Sequence, residues 1–302
     1  MCFFIALTNV NGTVFLQSFA RIYGCMLKGF RGTDDQGAQS TVWIQSCVIF
    51  SIIWGFGSTL NQESRIKFDA FYRHLVIGNN KEHPRPKNLK ITKNQLFSDK
   101  GLCFDYVCDR KNNQWIPWLN SIDREQGSFS ASHAKVHDII IPTDETARQM
   151  YFLKLFTYNE SIPLLFVGPT GTGKSAITLH YLMSTAPRDR FVANVVNFSA
   201  RTTAAQTQDI VMAKLDRRKK GVFGPQVGKK CVVFIDDLSM PQKECYGAQP
   251  AIELLRQWID HGYWFDKKDT TMLQLVDCVS DISCTFTLVV YSSARAKEIH
   301  VF

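Results

Sequence analysis

The chain has 302 residues, 45% of them hydrophobic and 21% charged, with a formal net charge of +8. That apolar share can fill a sizeable core in one to three domains and excludes a disordered chain. The charge is modest for the length and suits anionic ligands or an acidic partner without singling out nucleic acid.

The first ten residues, MCFFIALTNV, are apolar but have no basic leader region and no small-residue cleavage site, so a core strand is expected here in preference to a secretory signal. Residues 41–60 are uncharged, and a stretch of that length raises the question of a membrane-spanning helix. Gln45, the serines and the pair Gly55 and Gly57 dilute it, and positive flanks are sparse; a buried helix pair is expected instead, leading into the amphipathic segment SRIKFDAFYRHL. Residues 78–93 are polar and contain Pro84 and Pro86, which reads as a surface loop. Residues 96–118 carry Phe97, Phe104, Tyr106, Trp115 and Trp118 and predict a short hairpin turning near Asn112 and Asn113. Packing accounts for these aromatics at least as well as a nucleic-acid surface would. His133 and His137 have the spacing of a helical metal pair but no third ligand nearby, so no metal is assigned to them. The nine cysteines are scattered and include no CxxC pair; they read as reduced, buried thiols of a cytosolic protein.

Residues 139–148, IIIPTDETAR, predict a short strand, a break at Pro142, and a helix capped by Thr143 with Glu145 and Thr146 in its first turn. A domain is expected to begin here. The apolar run 162–167 then leads into GPTGTGKS, that is Gly168, Pro169, Thr170, Gly171, Thr172, Gly173, Lys174 and Ser175. The order fits GxxxxGK[ST], the phosphate-binding loop. Backbone N–H groups can wrap a polyphosphate only where side chains leave room, and the three glycines meet that need. The positive end of the following helix, 176–183, favours anions; Lys174 adds a full charge at the outer phosphates, and the Ser175 hydroxyl is a ligand for Mg²⁺.

Further along, 191–198 reads as a strand, 204–215 as a helix and 216–230 as a solvated basic hairpin. The strand 231–235, CVVFI, closes on Asp236 and Asp237, the pattern of a Walker B strand opening at the same sheet edge as the phosphate loop. Alternating strands and helices predict an α/β P-loop fold, a doubly wound parallel sheet with helices on both faces.

GPTGTGKS, VVNFSARTTAAQTQ, GVFGPQVGKKCVVFIDDLSMP and YGAQPAIELLRQWIDHGYWFD together resemble the third AAA+ module of an axonemal dynein heavy chain. GFRGTDDQG and the helices of 43–75 resemble the lid that follows the second module, so the resemblance covers most of 14–278. It implies a mainly helical lid over 41–130, preceded by a partly divergent segment 1–40, then the large domain over 139–278 and a divergent tail over 279–302. It further implies ATP or ADP with Mg²⁺ as ligands, Lys174 and Ser175 on phosphate and metal, and Asp236 as the Walker B acid. Asp237 stands in the place of the catalytic base, where AAA+ ATPases usually carry Glu; the shorter side chain puts rapid hydrolysis in doubt. Ile141, Pro142 and Thr143 resemble the segment lining the adenine pocket.

The family's partners are the other AAA+ modules of the ring, intermediate and light chains, and microtubules, the last through a stalk outside this stretch. Its places are the cytoplasm, the cytoskeleton and the ciliary axoneme. Neither membrane nor nucleic acid is among its partners. After Cys278 the sequence departs from the family, whose sensor Asn and further lid are not found, so the site is expected to be incomplete and turnover by this chain slow. A hydrolysing module and a nucleotide-holding regulatory one both stay open; an unrelated P-loop kinase or nucleic-acid ATPase fits less well, because SARTTAAQTQ replaces an acceptor site and arginine-rich lid.

Overall fold

The computed structural model describes residues 12–28, 38–79, 82–92, 95–110, 112–122, 140–159, 163–168, 171–284 and 300–301. The chain forms two compact units, Met1–Leu155 and Phe156–Phe302. The apolar segment expected at 1–10, the histidines His133 and His137, and residues 285–291 lie outside the described residues, as do Pro169 and Thr170.

In the first unit, helices α1 (Gly12–Lys28) and α2 (Ala38–Gly57) pack together. Residues 41–57 belong to a single helix: α2 passes Gly55 without a break and ends at Gly57. The glycines serve close approach, since a Cβ at Gly55 would stand 2.8 Å from the backbone nitrogen of Phe19, and one at Gly57 would collide with the Phe104 ring. No helix among the described residues is long and apolar enough to cross a membrane.

Helix α3 (Gln62–Ile77) starts at Asn61, whose side chain accepts a 2.9 Å bond from the Ser64 N–H, and ends at Gly78 in the left-handed region at φ 91°. The hairpin appears as predicted. Strands β1 (Tyr106–Asp109) and β2 (Gln114–Pro117) pair antiparallel, and Asn113 takes the positive φ of the turn. The aromatics of the hairpin and helices form one core in which Phe50, Trp54, Phe104, Trp118, Tyr151 and Phe152 meet at ring separations of 5.0–6.4 Å. The Trp118 indole N–H donates to Phe104 O at 2.8 Å, so the largest ring is buried with its donor satisfied.

Helix α4 (Asp144–Asn159) carries the boundary between the units. Thr143 caps it reciprocally with Thr146. The strand expected just before it is not formed at residues 140–143: Ile141 is exposed and Pro142 has no N–H to give a ladder.

The second unit is built on a five-stranded parallel sheet of β3 (Leu164–Val167), β4 (Phe191–Asn197), β7 (Lys230–Asp236), β10 (Cys278–Cys284) and β11 (His300–Val301), in the order β11-β3-β10-β7-β4. Helices α5 (Lys174–His180), α6 (Ala204–Met212) and α7 (Pro250–His261) connect its strands, α5 running on into a π-helical turn at Tyr181–Thr185. Alternate residues of β7 show that both faces are covered. Cys231, Val233 and Ile235 join a core with Val211 of α6 and Leu254 and Trp258 of α7, while Val232 and Phe234, pointing the other way, are equally buried. The predicted basic hairpin is β5 (Asp216–Lys219) with β6 (Val222–Gly224), extended by β8 (Tyr263–Phe265) and β9 (Met272–Leu275) into a small second sheet. Strand β10 runs past Cys278 into the segment 279–302 expected to be a divergent tail. Residues 278–284 fill the sheet's middle position, which the mixed sequence CVSDISC does not advertise as a central strand.

Candidate nucleotide site

Parallel strands bring their carboxyl ends to one edge, where ligands of open α/β sheets bind. Here Val167 at the end of β3 is in register with Cys284 of β10, Ile282 of β10 with Ile235 of β7, and Asp236 with Asn197 of β4. The phosphate loop and the acid pair therefore leave the sheet at the same edge, although more than 60 residues separate them in sequence.

Two of the loop's glycines are used for their backbone: Gly171 and Gly173 have φ of 79° and 83°. A Cβ at Gly171 would meet nothing within 4 Å, so conformation and ligand approach set the need for glycine there, not internal packing. Gly173 is the N-cap of α5, and Lys174 and Ser175 open the helix. The Lys174 ammonium donates to Gly168 O and to Thr172 Oγ, each at 3.0 Å. Thr172 thus holds the cation over the loop. Ser175 Oγ donates to Asp236 Oδ1 at 2.7 Å, a direct bond from the first motif to the second.

Asp237 follows with φ 55°, a conformation that Asp and Asn tolerate better than most residues. Its N–H donates to the same Asp236 oxygen at 3.1 Å, and Met240 N–H returns to Asp237 O at 3.0 Å. The strand therefore ends in a tight turn that separates the two acids. Asn197, the register partner of Asp236, also ends at this edge. In the sequence it is simply a polar residue near the end of the apolar run 191–198. Ile141, Pro142 and Thr143 are exposed and belong to the first unit.

The family model for the P-loop containing dynein motor region matches residues 130–287, and that for the dynein heavy chain AAA lid domain matches 4–120. The chain belongs to the dynein heavy chain family. It is 50% identical over 286 residues to human dynein axonemal heavy chain 3, covering 91% of this chain and 7% of that protein. Mouse dynein axonemal heavy chain 12 is 47% identical over 77% of this chain and 8% of its own length, and human dynein axonemal heavy chain 1 is 35% identical over 87% and 6%. The chain thus spans under a tenth of the curated dyneins it matches. In this dynein stretch the lid match reaches back to residue 4, into the segment expected to precede the lid, and the motor-region match extends through β10.

The site's donors also bear on the metal that P-loop proteins use. Mg²⁺ takes hard oxygen ligands, commonly one or two carboxylates with substrate phosphates. The hydroxyl of Ser175 and carboxylate of Asp236, already within one hydrogen bond of each other, are such a set. Such a site leaves the rest of the shell to water and phosphate oxygens.

Proposed function

We propose that this chain is the lid after the second AAA+ module together with the large domain of the third AAA+ module of an axonemal dynein heavy chain. In this reading it holds Mg-ATP or Mg-ADP and contributes to microtubule-based motility in cilia as part of the whole heavy chain. The 2.7 Å bond from Ser175 to Asp236 carries this reading, because it joins the two halves of a phosphate and metal site across the sheet edge. The relatives named for the axoneme support the location. Ring neighbours, intermediate and light chains and microtubules are partners of the whole protein, and the chain would meet microtubules only through it.

In this role Gly171 to Ser175 wrap the phosphates with backbone N–H groups. Lys174 would turn from Gly168 O and Thr172 Oγ to the outer phosphate oxygens, exchanging two neutral acceptors for an anion. Mg²⁺, when bound, supplies positive charge to the β- and γ-phosphate oxygens. Ser175 and Asp236 would hold its shell. Asp237 accepts the proton of the attacking water, from one methylene farther back than the usual Glu. A general base must reach within about 2.6–3.2 Å of its proton donor, so hydrolysis is slow and the nucleotide is held longer than it is turned over.

The test is calorimetric titration of Mg-ATP and Mg-ADP into the wild type and Lys174→Ala. Charge-assisted hydrogen bonds contribute roughly 1.5–3 kcal/mol each, so the variant should bind about ten- to a hundredfold more weakly. Equal affinity in the two proteins would remove Lys174 from the site.

A further inference from the structure

At the opposite end of β7 from Asp236, two cysteines face each other across neighbouring parallel strands. Cys231 of β7 and Cys278 of β10 are register partners. Directly paired residues on adjacent strands point to one face, and both pack into the core beneath α6 and α7. Their backbones are fastened as well, the Cys231 N–H donating to Asp277 O at 2.8 Å. Neighbouring strands lie about 4.8 Å apart, inside the Cα separation of about 4.4–6.8 Å that disulfides span. Cys231 is fully buried and Cys278 is half-buried, so Cys278 is the more accessible residue of the two.

From this juxtaposition we propose that Cys231 and Cys278 form a reversible redox site, a dithiol that closes to an interstrand disulfide on exposure to a peroxide.

The surroundings favour a thiolate in the pair. The Cys278 thiol lies within hydrogen-bonding distance of Cys231 and has a second acceptor in Val276 O at 3.2 Å. The hydrogen bond from Cys278 pulls the Cys231 thiol below its ordinary value, with Lys214 helping, while the same bond and burial push Cys278 up. The pair thus gives up one proton readily and shares the other. Arg218, held 2.7 Å from Asp277, offsets only part of what keeps the proton on Cys278: the bond to Cys231, burial and the Asp277 charge. As the Cys278 sulfur attacks the peroxide its shared proton passes to the Cys231 thiolate, the O–O bond breaks, and a Cys278 sulfenic acid and hydroxide form. Hydroxide takes the proton from Cys231. The Cys231 thiolate then attacks the Cys278 sulfur, making the S–S bond and breaking S–O, and the departing hydroxide is protonated to water. In balance two thiols and one hydrogen peroxide give one disulfide and two waters. Reduction by a dithiol reverses the step.

The bond would clasp β10 to β7, the strand that carries Asp236. Nothing in it depends on bound nucleotide, so its test is independent of the function proposed above. The purified chain is treated with graded hydrogen peroxide, the remaining thiols are alkylated, and the digest is mapped by mass spectrometry. Cys245→Ser provides a background without that exposed thiol, which would otherwise bridge molecules. The expected product is a peptide pair joined through Cys231 and Cys278, lost on treatment with dithiothreitol and absent in Cys278→Ala. The primary result comes from the unaltered pair and does not require the variant to fold. If both cysteines are recovered unlinked or over-oxidised at doses that oxidise Cys245 in the wild type, or if Cys278 bridges elsewhere, the site is not a dithiol switch.

Discussion

Lys174, Ser175, Asp236 and Asp237 are each placed by a different device: a threonine hydroxyl, a helix start, a strand end and a left-handed turn. Ser175 matters most to metal dependence, because its hydroxyl would exchange the Asp236 oxygen for a cation. Wild-type affinity for ATP should therefore fall when Mg²⁺ is chelated, and Ser175→Ala should shrink that difference several-fold; titrations with magnesium and with a chelator read it out. At Asp237 the proposal turns on reach. Asp237→Glu should preserve or raise ATP turnover in the full module, and a lower turnover, measured by phosphate release, would overturn the role assigned to it.

Among the elements, α2 shows how a helix lacking charge can be a core element. Its mean composition is apolar, yet two glycines on it admit the α1 backbone and the Phe104 ring. Gly55→Ala places a Cβ 2.8 Å from Phe19 N, and overpacking against backbone typically costs about 1–3 kcal/mol. A lower urea midpoint, equivalent to a stability loss of that size, is the expected outcome, although alanine is the better helix former in isolation. The cap of α3 gives a second measurement at this scale. Removing the Asn61 acceptor from the Ser64 N–H by Asn61→Ala should cost about 1 kcal/mol in the same assay.

Across the molecule, the first unit concentrates buried acidic hydrogens in its aromatic core. Burial pushes the thiols of Cys47 and Cys103 and the phenols of Tyr72 and Tyr151 upward, and raises Cys108 from 9.0 to about 12. Each folded value lies above the unfolded one, so the stabilisation is complete below the unfolded value and is lost as pH rises toward the folded one. Chemical stability should therefore be level through neutral pH and decline from about pH 9 upward, where unfolded cysteines ionise first. Urea denaturation followed from pH 7 to 10.5 under reducing conditions checks the sign; a rise in stability over that range would mean these groups are not buried as protonated acids.

The sequence by itself determined the phosphate loop, the acid pair, the hairpin at Asn113 and the strands of 191–198 and 231–235, because each is specified by neighbours in the chain. Glycines set the loop, a run of apolar residues sets a strand, and a turn residue sets a reversal, all within a few residues. Tertiary structure decided what depends on partners distant in sequence. The place of β10 between β3 and β7 is one such case, since Ser280, Asp281 and Ser283 give it no local apolar signature. Gly55 reads as a weakness in a helix until the Phe19 backbone is beside it. Cys231 and Cys278 read as two scattered thiols until parallel pairing sets them opposite each other. The same holds for Ser175 and Asp236, whose types are legible in their motifs but whose bond exists only because two strands end at one edge.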